Sequence, residues 1–144
     1  MKPVAPTLSD SLHARGMRVT PQRLVIYDAL ARLGRHASAE QVREAVAERV
    51  PGISLPTVYA TLDLLERLEL VRRVHTGGSA VLYDPRTDPH QHAVCRSCGA
   101  VEDLDAPVDT AKAIGAARKS GFVPEDASTV VTGLCANCRR SGRA

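Results

Sequence analysis

Residues 54–84 read SLPTVYATLDLLERLELVRRVHTGGSAVLYD, and two periodicities meet inside them. From about Ser54 to Leu68, the apolar residues Val58, Leu62 and Leu65 recur at helical spacing and face one way. Beyond Leu70 two short apolar runs, residues 70–74 and 80–83, flank Gly77-Gly78, a dipeptide suited to a hairpin turn. Working back from this helix, Thr20 and Pro21 form an N-cap and first helical residue, and Ile26, Ala29, Leu30 and Leu33 supply the apolar face of a helix over about 21–33. Ser38 with Gln41 three residues on is a capping-box pattern. It opens a second helix with Val42, Ala45 and Val46 inward, which Pro51-Gly52 closes. Three short helices followed by a hairpin predict a winged helix-turn-helix, whose last helix enters the major groove of DNA. The outline also suits small protein-binding domains. Thr57, Tyr59, Ala60 and Asp63 are the exposed positions early in that helix. There Tyr59 can meet thymine methyls and phosphates and Thr57 a phosphate. The competing reading buries Tyr59 in the core.

After residue 84 the pattern changes. DPRTDPHQHAVC begins as a linker and becomes a strand, a second strand spans about 100–104, a helix about 108–120 and a last strand about 128–134. On the helix Ala111, Ile114 and Ala117 share a face, and Gly121 suits its C-terminal cap. The expected class is therefore α+β: a winged-helix domain with its hinge over 1–84, then a small α/β domain over 85–144. The second has little apolar material of its own and calls for a metal, a partner copy, or both.

Composition bounds the setting. The chain has 144 residues, 44% hydrophobic and only 3% aromatic, so its core must be aliphatic. Eleven Lys and Arg face eight Asp and Glu in residues 1–83, against eight and eight from 84 on. This is a small basic excess on the side expected to meet DNA, and also what an ordinary solvated surface carries. MKPVAPTLSDSLHARGM has no apolar signal region and no window is long enough to cross a bilayer. A soluble cytoplasmic protein is expected, in which four cysteines arranged as two pairs are metal ligands or redox centres rather than a disulfide framework.

Cys95 and Cys98 form one C-x-x-C pair and Cys135 and Cys138 another. Two such pairs complete a closed tetrahedral Cys₄ zinc site. Tying together the far ends of the second domain, zinc would contribute on the order of 10 kcal/mol to its folding. A redox dithiol pair is the alternative. In a strand over 90–95, His90 and His92 point to one side and Cys95 to the other, so one ion cannot easily take both sets. Asp84 lies just before them, Asp103 on the neighbouring strand and His36 in the loop between the first two helices; spacing alone does not bring these together. His13 and His75 read as surface residues.

GMRVTPQR, HASAE from His36, SLPTVYATLDLLERLELV, Tyr83-Asp84, HQHAVCRSCG from His90 and the SGF…TGLCANC ending occur in that order. Together they resemble the ferric-uptake-regulator family of metal-dependent bacterial repressors over nearly the whole chain. The resemblance implies a winged-helix domain, a C-terminal dimerisation domain, a structural Cys₄ zinc and a regulatory metal at the hinge. Carried to matching positions, the regulatory ligands are His36, Asp84, His90, His92 and Asp103, and DNA contacts include Tyr59 and, near a minor groove, Arg18. Asp at both 84 and 103 looks like the peroxide-sensing branch, in which bound Fe²⁺ leads to oxidation of a ligand histidine, here His36 or His90. Three imidazoles and two carboxylates without a thiolate also suit Fe²⁺ or Mn²⁺. Ala60 stands where relatives usually have Arg or Asn, Glu69 replaces a frequent Gly, and Pro89 occupies the position of a histidine needed for a further metal site. The expected function is a homodimeric repressor on a palindromic double-stranded operator, with no enzymatic role, no small organic substrate and no membrane partner. Plain iron or manganese regulation, a thiol-redox protein, and a zinc-only nucleic-acid module are the rival readings.

Overall fold

The computed structural model describes residues 7–34, 36–76 and 81–143. The chain divides into two compact units, Met1–Thr87 and Asp88–Ala144. The first contains α1 (Leu8–Ala14), α2 (Pro21–Leu33), α3 (Ala39–Val46), α4 (Leu55–Arg67) and an antiparallel ribbon of β1 (Arg72–His75) and β2 (Val81–Asp84). The expected Gly77-Gly78 turn lies outside the described residues.

Capping explains where these helices start. Thr20, Ser38 and Ser54 each accept a backbone N–H from three residues on, and Pro21 and Pro56 sit in first turns where no N–H is needed. Apolar faces explain how they pack. Ile26 and Leu30 from α2, Val42 and Val46 from α3, and Val58, Leu62 and Leu65 from α4 are all fully buried in one cluster. Ala45, expected to face inward, is exposed, and Ala39 takes the inward place at the start of that short helix. The sequence reading also missed α1. Its Thr7–Asp10 capping box starts a helix that sends Leu8 and Leu12 into the same cluster.

The helix that the outline assigns to DNA, α4, ends in a Schellman motif. Leu70 N–H reaches Leu65 O at 3.0 Å and Glu69 N–H reaches Glu66 O at 2.9 Å. Glu69 therefore carries φ +60°, the one positive φ outside glycine among the described residues. This geometry is the physical reason glycine suits the position.

The second unit is a three-stranded sheet in the order β4 (Val101–Leu104), β3 (Gln91–Cys95), β5 (Val130–Gly133), with α5 (Ala111–Lys119) and α6 (Ala136–Arg140). Strand β3 runs antiparallel to β4 and parallel to β5, which sets His92 opposite Asp103. Gly121 at φ +93° follows α5, with Phe122 N–H bonded to Ala117 O at 3.0 Å. Ile114 and Ala117 on the expected face of α5 are only half-buried and Ala111 is exposed. Helix α6, also unforeseen, is capped by the Cys135 sulfur, which accepts Cys138 N–H at 3.4 Å. Among the described residues no helix is long and apolar enough to cross a membrane.

Candidate metal centres and nucleic-acid face

The four cysteines converge although 37 positions separate Cys98 from Cys135. Turn residues after β3 carry Cys98, the loop after β5 delivers Cys135, and α6 carries Cys138. All four Sγ atoms lie within 4.8 Å of one another, none in a disulfide. Cys98 Sγ and Cys135 Sγ are 3.8 Å apart. A tetrahedron with Zn–S bonds near 2.3 Å has edges of about 3.8 Å, so the spacing fits zinc. Backbone groups prepare the sulfurs for negative charge. Cys135 N–H points at Cys95 Sγ from 3.3 Å. That bond, with one from the Cys98 backbone, lowers the Cys95 thiol to about 6. At Cys138 the Ser97 hydroxyl favours the thiolate, but burial and the neighbouring sulfurs outweigh it and push the thiol up to about 11. Four sulfurs this close cannot all ionise without a cation among them, which is what a dication supplies.

A second set of donors sits on the same sheet. His90 and His92 rings meet edge to face at 4.6 Å, and their Nε2 atoms lie 3.3 and 3.6 Å from Asp103 Oδ1. The longer distance exceeds a hydrogen bond, yet both match the spacing of neighbouring ligands around an ion with bonds of roughly 2.1 Å. His90 Nδ1 lies 2.8 Å from Asp88 O. A proton held on Nδ1 by that carbonyl leaves the Nε2 lone pair for a metal.

The first unit holds the remaining two candidate ligands. Ala37 and Tyr83 form a β-bridge, with Ala37 N–H to Tyr83 O at 3.1 Å and Tyr83 N–H to Ala37 O at 2.8 Å. This stitches the loop before α3 to β2 and sets His36 opposite Asp84. His36 Nε2 lies 3.1 Å from Asp84 Oδ2, both side chains nearly buried. The other oxygen, Asp84 Oδ1, accepts Arg86 N–H at 2.8 Å, which fixes the carboxylate plane.

On α4, Tyr59 is 37% exposed, which removes the reading that buries it as a core aromatic. Its hydroxyl donates to Glu40 Oε1 at 3.3 Å. Burial and the adjacent Glu40 raise the phenol above its usual range, so it stays a donor at neutral pH. Thr57 is half-buried with its hydroxyl 2.8 Å from Ser54 Oγ, at the helix N-terminus. Arg18 is exposed in the turn before α2, where its carbonyl accepts Arg23 Nη1 at 2.6 Å. The sequence reading placed Asp63 on this face but missed its ion pair and the neighbouring Glu66. Arg73 of β1 bridges Asp63 and Glu66 at 2.7 and 3.0 Å. No local spacing signals that contact, because it joins a strand to a helix.

Comparison with known proteins gives these features a context. The family model described as ferric uptake regulator family matches residues 14–131. A transcriptional regulator from Mycobacterium tuberculosis, FurA, is 34% identical over 92% of this chain and 90% of its own length. The peroxide operon regulator of Bacillus subtilis is 30% identical over 91% and 90%. Among solved structures, a zinc uptake regulator complexed with zinc and DNA superposes with a TM-score of 0.68 at 27% identity, covering 92% of this chain and 90% of that one.

Proposed function

The chain belongs to the ferric uptake regulator family of transcriptional regulators, and on that premise we propose that it is a metal-dependent DNA-binding repressor that senses peroxide. Cys95, Cys98, Cys135 and Cys138 hold a structural zinc. His36 and Asp84 of the first unit, together with His90, His92 and Asp103 of the second, hold one regulatory Fe²⁺ or Mn²⁺ at the hinge. Its binding energy shifts a population of hinge angles toward the one that fits DNA. The reading rests chiefly on one observation. Every thiolate is gathered into one cluster, while the histidines and carboxylates form sets without sulfur. Imidazole and carboxylate donors suit Fe²⁺ and Mn²⁺, thiolates zinc.

The protein acts in the cytoplasm as a homodimer on a palindromic double-stranded operator. Exposed Val108, Phe122, Val123 and Val131 supply apolar surface for pairing in the second unit. Arg18, Thr57 and Tyr59 contact the duplex, and Ala60, with no polar atom, leaves base reading to its neighbours. Iron held by these residues would supply redox chemistry toward peroxide, and His36 and His90 would be the imidazoles oxidised, each gaining one oxygen as one peroxide is reduced to water. The loss of such a ligand would release the hinge.

Plain iron or manganese regulation is the second reading. It is favoured by the higher identity to a ferric uptake regulation protein of Mycolicibacterium fortuitum, 38% over 83% of this chain and 74% of that one, than to the peroxide operon regulator at 30%. A duplex selected from a random pool separates the possibilities. Tight binding with Fe²⁺ or Mn²⁺ added to the zinc-loaded dimer, abolished by peroxide in the Fe²⁺ form and spared in the Mn²⁺ form, is the expected result. Metal-dependent binding that ignores peroxide leaves a metal regulator. Binding that ignores both metals leaves a zinc-only module, and cysteine-dependent turnover without duplex binding leaves a thiol-redox protein.

A further inference from the structure

The contacts around Arg73 form a continuous path inside the first unit from one pair of candidate ligands to the helix assigned to DNA. It starts at the Ala37–Tyr83 bridge, which sets His36 and Asp84 side by side. Tyr83 is 1% exposed and pairs in register with Arg73 across the ribbon, with the guanidinium carbon 5.7 Å from the centre of its ring. The same guanidinium holds Asp63 and Glu66. Those two carboxylates stand three residues apart on one face of α4, and Asp63 is one helical turn beyond Tyr59. Tyr59 in turn bonds Glu40, near the start of α3 and four residues after His36. Arg73 thus adds a polar link between the ribbon and α4 to the apolar packing that Tyr83 shares with that helix.

We infer that Arg73 is a positioning residue that transmits occupancy of the His36–Asp84 pair to the orientation of α4, and so of Tyr59, within a single DNA-binding unit. The physical reason is stiffness. A metal bound to Asp84 fixes the end of β2, whose strands are only four residues long. Ribbons of that size are weakly held unless packed or pinned. A charge-assisted clamp, in which the one nitrogen Arg73 Nη2 reaches both carboxylates, transmits a shift of the ribbon to the helix and adds direction to the apolar packing of Val71 and Val74. Arginine also balances two acidic groups that would otherwise face a polyanion, so its charge and its clamp must be separated experimentally.

This inference rests on the metal-dependent reading above and deepens it. Its test compares the full-length zinc-loaded dimer with Arg73→Met and with Asp63→Asn/Glu66→Gln. Both variants break the clamp, but the first makes the protein more negative and the second more positive. The quantity read is the coupling factor, the ratio of duplex affinities with saturating Mn²⁺ and without it. Its reciprocal partner is the change in Mn²⁺ affinity on adding duplex. Couplings of this kind are typically about 5- to 150-fold, and both variants should fall below about threefold while Mn²⁺ affinity of the DNA-free protein stays as in wild type. If charge were the whole role, duplex affinity would move in opposite directions in the two variants with the coupling factor intact. That outcome overturns the proposal, as does wild-type coupling in either folded variant. If Arg73→Met does not fold, the surface pair Asp63→Asn/Glu66→Gln decides alone. A wild-type protein with no coupling at all would instead overturn the metal-dependent reading.

Discussion

The two units hide different things from water. In the first, sixteen buried residues from Leu8 to Tyr83 form one largely aliphatic cluster. In the second, the buried side chains among the described residues are Val94, Cys95, Cys138, His90 and His92, and four of those five are candidate metal ligands. Meanwhile Phe122 and Val123, which a larger domain would cover, are 72% and 88% exposed. The lesson is that one unit folds on the hydrophobic effect, while the other must draw its stability from ions and from pairing.

That contrast is most easily broken at the thiolates. Cys95→Ser, or removal of zinc by a chelator, should unfold the second unit and cost dimerisation and DNA binding, while helical circular dichroism of the first unit persists. A stable, dimeric, DNA-binding Cys95→Ser protein would contradict the structural role. The thiols also set a pH dependence. With Cys95 lowered to about 6 and Cys138 raised to about 11, the metal-free protein at pH 7 carries one as thiolate and the other protonated. Zinc capture should therefore release protons, seen as a buffer-dependent enthalpy in calorimetry. For Cys95 the folded value is depressed, so its contribution is present above the unfolded value near 8.5 and is lost as pH falls through about 6. Bound zinc holds the thiolates ionised to lower pH still, so zinc should leave only at pH well below about 6.

The mirror experiment is a cavity in the first unit. Leu62 is fully buried, and Leu62→Ala should cost about 2–5 kcal/mol in denaturant unfolding of that unit. Zinc content of the second unit should be unchanged. If both transitions move together, the two interiors are not independent.

A smaller effect is expected at the sulfur-free ligands. His92→Ala or Asp103→Ala should weaken regulatory-metal binding at least 10-fold, roughly 1.4 kcal/mol, with zinc still at one per subunit. Loss of both metals in either variant would show that the two donor sets are not separate. The smallest change is at Glu69, whose φ of +60° strains an L-residue. Glu69→Gly should raise stability of the first unit by about 1 kcal/mol, offset in part by the extra freedom of the unfolded chain. No gain in a thermal melt would mean the strain is relieved locally.

How legible these features are in sequence follows the same division. Helices α2, α3 and α4 declare themselves, because caps at Thr20, Ser38 and Ser54 stand next to apolar residues at helical spacing. Helix α1 is harder, with seven residues and two buried leucines behind a Thr–Asp box. Helix α6 is harder still, because its cap is a cysteine whose spacing already reads as a metal knuckle. The grouping of Cys95, Cys98, Cys135 and Cys138 is visible as two pairs. Spacing says nothing, however, of the backbone N–H groups aimed at the sulfurs, or of the Asp88 carbonyl that orients His90. The Arg73 clamp was invisible for a related reason: it arises only when a ribbon folds onto a helix, and a charged residue in a strand carries no mark of its partner.

The division of labour between thiolates and histidines is the central claim, and peptide mapping after peroxide tests it most directly. The zinc-loaded dimer would be prepared with Fe²⁺ or with Mn²⁺, exposed to a low dose of peroxide, and digested for mass spectrometry. The account predicts one added oxygen on the peptide bearing His36 or the one bearing His90, in the Fe²⁺ form only. Cys95, Cys98, Cys135 and Cys138 should remain reduced under the protection of zinc. Intact histidines, with disulfide formation and zinc release that proceed equally in the Mn²⁺ form, would contradict it and assign sensing to the cysteines.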